Sequence, residues 1–285
     1  MRRRGRATAL GAATVLNAVA NWKGSALGVD LKTSAEVVLD DSPRVRGDVP
    51  GIDDRLIVRS AELVLGRFGV EAGGIVRTKS EIPLARGLKS SSAAANAAIL
   101  ATLDALGEEL DPLEATRIGV AAAREAGVTI TGAFDDAAAS MLGGVVVTDN
   151  RKMELLKREE MDSKVLLLVP EEKLFSKDTD VRRSRLLAPI ADLIFDLALA
   201  GEYARAMTIN GLVYCSALRL SSDPIFTALN SGARGASLSG TGPAYAALVE
   251  DENIDEVESA WLDLGGRVIR TKVNNRGSSK GSRWR

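Results

Sequence analysis

No histidine occurs anywhere in the 285 residues, and cysteine occurs once, at position 215. The first absence removes Ser-His-Asp and Cys-His catalysis and every His-ligated zinc site, so proton transfer falls to Asp, Glu, Lys or water. The second removes intrachain disulfides and thiolate metal clusters and suits a reducing cytoplasm. Cys215, inside "NGLVYCSALRL", reads as a small core residue rather than a nucleophile. Aromatics are 4% of the chain against a hydrophobic fraction of 46%, which predicts a core of closely packed aliphatic and small side chains. There is no uninterrupted apolar run of about 18 residues, so no membrane span is expected. A net charge of −1 gives no overall field for nucleic acid or an anionic membrane surface. The basic start "MRRRGRATALGAATVLN" leads into apolar residues, but Thr8, Thr14, Asn17 and Asn21 interrupt the run, and it is read as fold rather than leader.

What is present alternates between strand and helix patterns. "VDLKTSAEVVLD" and "GGIVRTKSEI" read as strands, and "DDRLIVRSAELVLGRFGV" between them has helical spacing. Helices are expected from Ser91 to Leu106 and from Asp111-Pro112 to Ala126, where Gly127 stops the second. The second half offers a strand "VLLLVP", helices around 181–201, 203–221, 223–231 and 253–264, and a last strand "GRVIRTKV". This is an α+β pattern. The charged stretch 149–164 is either a boundary, dividing the chain into 1–150 and 151–285, or an exposed hairpin. The closing "NNRGSSKGSRWR" reads as a frayed basic tail.

Two segments compete as a phosphate-binding device. "GGIVRTKS", residues 73–80, resembles a P-loop, but Thr78 stands where a glycine is needed, and the segment alternates like a strand. "IPLARGLKSSSAAANAAILATL", residues 82–103, is the stronger candidate. Pro83 ends a strand, Gly87 permits a tight turn near a ligand, and Lys89 supplies a cation. The serines 90–92 then open an alanine-rich helix, and a helix start presents unpaired N–H groups and a positive dipole end to phosphate. Their hydroxyls could cap the helix or ligate a hard metal ion.

"PLARGLKSSSAAANA" resembles the second signature of the GHMP kinases, P-x-x-x-G-L-G-S-S-A-A, departing from it at Lys89 and Ser92. The form G-L-K-S-S-S-A, the opening "GRATALGAATVLNAVANWKGSALGVDLKTSAEV" and "LSGTGPAYAALV" resemble one branch, the archaeal shikimate kinases. The likeness runs to about residue 273. It implies the GHMP kinase fold, with a ribosomal-S5-like N-terminal half, a ferredoxin-like C-terminal half, and ATP at their junction. The implied activity is ATP- and Mg²⁺-dependent phosphorylation of the 3-hydroxyl of shikimate. The alternatives are a GHMP kinase for homoserine or mevalonate, or a non-catalytic nucleotide-binding regulator on the same fold.

The resemblance also implies roles. Pro83, Leu84, Ala85, Arg86, Gly87, Leu88, Lys89, Ser90, Ser91, Ser92 and Ala93 would cradle the ATP phosphates, with main-chain amides from Arg86 to Ala93 facing them. Lys89 would neutralise phosphate charge or point to solvent. Ser91 would bind Mg²⁺, with Ser92 as the alternate. In "TGAFDDAAASMLGG", Asp135 would orient or deprotonate the acceptor hydroxyl, with Asp136 left open by one residue of spacing. Gly240, Thr241 and Gly242 would form a loop beside the phosphates. For the acceptor carboxylate and ring, Lys23 and Asn17 are the candidates. No nucleic-acid or membrane partner is implied, and oligomeric state is left open.

Overall fold

The computed structural model describes residues 3–51, 53–129, 132–171 and 182–281. β2 (Lys23–Asp40), eighteen residues long, organises the first of two sheets. β1 (Arg4–Leu16) pairs antiparallel along one edge of it. On its other edge β4 (Gly73–Ser80) takes the C-terminal half and β5 (Val145–Asp149) the N-terminal half. β3 (Val45–Gly47) adds parallel to β4, and β6 (Glu154–Glu159) pairs with β5. The segment 73–80 is therefore strand β4, as its alternation predicts, and not a P-loop. The charged stretch 149–164 spans the β5–β6 turn, β6 and the approach to β7 (Lys164–Val169).

Helices α1 (Arg55–Arg67), α2 (Ser90–Leu106), α3 (Pro112–Glu125) and α4 (Phe134–Leu142) belong with the first sheet. The alanine run of α2 is explained by close packing: Ala97, Ala98, Ala101 and Ala105 meet Ala7 and Ala9 of β1 and Ala35 of β2 in one buried cluster. Asp111 caps α3, its side chain accepting from the N–H groups of Leu113 and Glu114.

The second sheet has the order β10-β7-β9-β8, all antiparallel, from β7, β8 (Gly235–Leu238), β9 (Tyr245–Val249) and β10 (Arg267–Lys272). α5 (Ala188–Leu199), α6 (Tyr203–Leu218) and α7 (Asp223–Asn230) connect β7 to β8, and α8 (Ile254–Leu262) connects β9 to β10. That is the β-α-β-β-α-β split of ferredoxin-like folds. Val165 and Leu167 face a core shared with Leu27, Val29 and Val145 of the first sheet, whereas Leu166 and Leu168 face Tyr214 and Trp261. Burial on both faces is why "VLLLV" reads as an unbroken apolar run. Cys215 is a free core residue, 1% exposed, and burial pushes its thiol up to about 11.

The structure corrects the reading of the tail. β11 (Ser279–Lys280) pairs with β1, Asn274 Nδ2 donates to Asp30 Oδ1 (2.8 Å), and the Asn274 N–H donates to the Gly28 carbonyl (2.9 Å). Residues 282–285, the end of that expected tail, lie outside the described residues, as does Val181, the expected start of a helix. No helix among the described residues is long and apolar enough to cross a membrane.

Candidate active site

Between β4 and α2 the backbone enters the left-handed region at Ala85 (φ 55°), Gly87 (φ 80°) and Lys89 (φ 64°). Lys89 is the N-cap of α2, so Ser90, Ser91 and Ser92 occupy its first turn. Of the two roles open to the serine hydroxyls, capping is not the one made: the N-cap is Lys89, with no side-chain cap hydrogen bond. The first N–H groups of α2 have no intrahelical partner, and the dipole's positive end lies with them.

The loop is held from behind by the turn between β8 and β9. Ser239 Oγ donates to the Gly87 carbonyl (2.8 Å), and the Ala244 N–H donates to the Arg86 carbonyl (3.0 Å). A Cβ on Gly87 would lie 2.1 Å from the Ser239 carbonyl oxygen. The crowding that demands glycine here thus comes from the neighbouring loop, where the sequence suggested a ligand. Thr14 on β1 ties in the same turn by accepting from the Gly240 N–H (2.8 Å).

These pieces border a cavity of about 680 Å³, within the range of small-ligand sites. Leu84, Ala85, Gly87, Lys89 and the three serines line it, as do Asn17, Gly240, Thr241, Asp135 and Asp136. Several expected residues stand elsewhere. Leu88 and Ala93 are buried in the core, and Arg86 directs its guanidinium to the Glu171 carbonyl. Pro83 and Gly242 are absent from the lining, the latter flanked by Leu220 and Leu238. Asn17 borders the cavity with its amide committed: Nδ2 donates to the Gly240 carbonyl (2.8 Å), and Oδ1 accepts from the Val19 N–H (3.0 Å). Lys23 is not brought to the cavity. Its ammonium sits 2.8 Å from Asp192 Oδ1 and 4.8 Å from the centre of the Phe195 ring, both on α5.

Across the cavity from the loop that precedes α2, α4 begins after Ala133, whose backbone is left-handed (φ 49°). The Thr131 that opens the quoted "TGAFDD" motif lies outside the described residues. Asp135 is 4% exposed. Burial, and then the neighbouring Asp136 charge, raise its carboxyl to about 7, against the pull of Lys89 and a hydrogen bond from Asn150. Its Oδ2 lies over Gly24 of β2, where a Cβ would come within 2.5 Å. Asp136 has a different partner: its Oδ1 is 3.0 Å from Lys89 Nζ, in a pair whose side chains are 14% and 9% exposed. Lys89 therefore bridges the two loops and does not point to solvent. Sequence reasoning missed Asn150, Thr14 and Gly24; only the polar "TDN" ending an apolar strand hinted at the first.

Breaking a nearly buried pair from one side leaves its partner charge exposed to a poor solvent. Lys89→Met is expected to lower unfolding stability by about 1–3 kcal/mol. Lys89→Met with Asp136→Asn should recover most of that loss in urea titrations. An unchanged midpoint in the single variant would contradict the pairing.

The serine-lined helix start, the crossing cation and a carboxylate held near neutrality border one cavity. Residues 55–144 match the family described as GHMP kinases N terminal domain. The shikimate kinase of Methanothrix thermoacetophila is 66% identical over 98% of this chain and 96% of its own length. That of Halobacterium salinarum is 49% identical over 96% and 98%. The chain belongs to the archaeal shikimate kinase branch of the GHMP kinases. Among solved structures, homoserine kinase from Cytophaga hutchinsonii superposes with a TM-score of 0.79 at 19% identity, covering 98% of both chains. Mevalonate kinase from Methanococcus jannaschii superposes with 0.77 at 15%, covering 95% of this chain and 98% of its own. At those identities the fold is what is shared.

Proposed function

We propose that this protein transfers the γ-phosphoryl group of ATP to the 3-hydroxyl of shikimate, giving shikimate 3-phosphate and ADP. The observation that carries the reading is one cavity with an uncapped helix start on one side and a buried, near-neutral carboxyl on the other. Phosphoryl transfer asks for positioning and charge stabilisation, and both are available there. The N–H groups opening α2 hold the phosphates, and Lys89 adds positive charge beside them. Asp135 accepts the proton of the attacking hydroxyl, which a carboxyl titrating near the working pH does well. Asp136 keeps Lys89 in place.

Magnesium fits the donor set. Ser91 is exposed and lies in the cavity lining, and a hydroxyl oxygen is a hard ligand of the type this ion takes beside water and phosphate. Ser91, or Ser92 in its place, would hold it together with phosphate oxygens and water. When bound it neutralises charge on the phosphates. Among the described residues no cluster of three or more acidic or cysteine ligands forms, consistent with an ion held largely by the nucleotide and water. The single free cysteine supports a cytoplasmic setting.

The acceptor is tested by incubating the protein with ATP and shikimate, homoserine or mevalonate, and following ADP release and ³¹P spectra of the products. ADP release with shikimate, and a new phosphate monoester signal, are expected. Turnover on homoserine alone would reassign the acceptor. ATP binding without turnover on any of the three would make the protein a regulator.

A further inference from the structure

Asn150 follows β5 and has no exposed surface. Its side-chain amide makes a reciprocal pair with Asp135: Nδ2 donates to Asp135 Oδ1 (2.7 Å), and Oδ1 accepts from the Asp135 N–H (3.1 Å). The same Oδ1 takes the shorter of two contacts from the Thr148 hydroxyl (2.8 Å; the other, to the Gly24 carbonyl, is 3.4 Å). The Asn150 N–H donates to the Trp22 carbonyl (2.8 Å), fixing the backbone beneath the amide. A main-chain N–H can only donate, so the amide oxygen must face it and the NH₂ must face the carboxylate. The Asp135 carboxylate is therefore clamped, with a donor on Oδ1 and the bare backbone of Gly24 beneath Oδ2.

We propose that Asn150, oriented by Thr148, is the positioning residue for Asp135, fixing the rotation of its carboxylate. The inference rests on the reading of Asp135 given above. Two charged groups, Asp136 and Lys89, face this carboxylate, and burial, the Asn150 donor and the Asp136 N–H act on it as well. Asp136 on α4 and the burial itself favour the proton. Lys89, from the loop before α2, the Asn150 donor and the Asp136 N–H favour its loss. The Tyr214 hydroxyl on α6 is engaged elsewhere, donating to the Asn17 carbonyl (2.8 Å). Removing the Asn150 donor tips this balance toward the protonated form, in which Asp135 cannot accept a proton. A small misplacement of a catalytic group commonly costs up to about 100-fold in rate.

The test is the pH dependence of kcat for Asn150→Ala, Thr148→Val and Thr148→Ser, with ATP affinity measured alongside. Asn150→Ala is expected to lower kcat about 10–100-fold at pH 7 and to move the acid limb upward by about one pH unit, with ATP Kd unchanged. Thr148→Val should shift both in the same direction by less, and Thr148→Ser, which keeps the hydroxyl, should restore the wild-type limb. If Asn150→Ala does not fold, the Thr148 pair decides alone. A folded Asn150→Ala or Thr148→Val with wild-type kcat and acid limb overturns the proposal. Should Asp135→Asn retain its rate, the role of Asp135 and this inference fall together. An inactive Asp135→Asn beside an unaltered Thr148→Val removes this inference only.

Discussion

Asp135→Asn is expected to lower kcat on shikimate by about 10²–10³-fold while changing ATP affinity by no more than about twofold. The amide keeps the shape of the side chain and loses the ability to accept a proton. A stability effect of opposite sign should accompany the loss. The folded-state value near 7 stands above the ordinary 3.8, so folding favours the protonated form. The stabilisation this gives is complete below 3.8 and is lost as pH rises toward and through 7. At pH 8 the wild type therefore carries a buried charge that Asp135→Asn lacks, and the variant's thermal midpoint should be higher there, with the difference shrinking at pH 4. In the wild type, kcat should fall below pH 7 as the carboxyl protonates. A near-normal rate in the variant, or an acid limb near pH 4, would remove Asp135 from the chemistry.

Gly87→Val is expected to abolish measurable ATP binding and to destabilise the fold by about 2–4 kcal/mol. Two faults coincide at this position. The backbone sits at φ 80°, which a β-branched residue resists, and the new Cβ would overlap the Ser239 carbonyl oxygen at 2.1 Å. Neither partner is a flexible side-chain end, so the phosphate loop and the β8–β9 turn must separate. Their bonds at Gly87 and Arg86 go with the displacement. The sequence placed Gly87 in a tight turn near a ligand; the structure makes the substitution a break between two loops. Calorimetry with ATP and a urea titration would check both parts, and wild-type values in both would contradict the contact.

Much of the frame could be read in advance where side-chain pattern and burial agree. α3 carries its Asp111 cap, and β7 is an apolar run because both its faces are covered. β1 gave no such signal. From Leu10 onward it is buried on both faces, and small residues such as Ala12 and Ala13 carry no period of two. The tail was misjudged for a related reason, since main-chain pairing and the Asn274 contacts anchor it in place of apolar side chains.

At the site, the motifs pointed to the phosphate loop and the Asp135–Asp136 dyad, but spacing could not assign partners. Lys89 meets Asp136 and Asn150 meets Asp135 only because the α2 and α4 starts and the end of β5 converge in the folded chain. Lys23 misled because it is a cation in a matching motif, and nothing local shows that Asp192, 169 residues away, claims it.

The account stands most directly on where the nucleotide phosphates lie. A crystal structure with a non-hydrolysable ATP analogue, magnesium and shikimate measures that. It should show phosphate oxygens within hydrogen-bond distance of the N–H groups of Ser90–Ser92, with the acceptor hydroxyl against Asp135. Phosphates bound away from the start of α2, or a shikimate ring with no hydroxyl reaching Asp135, would contradict it.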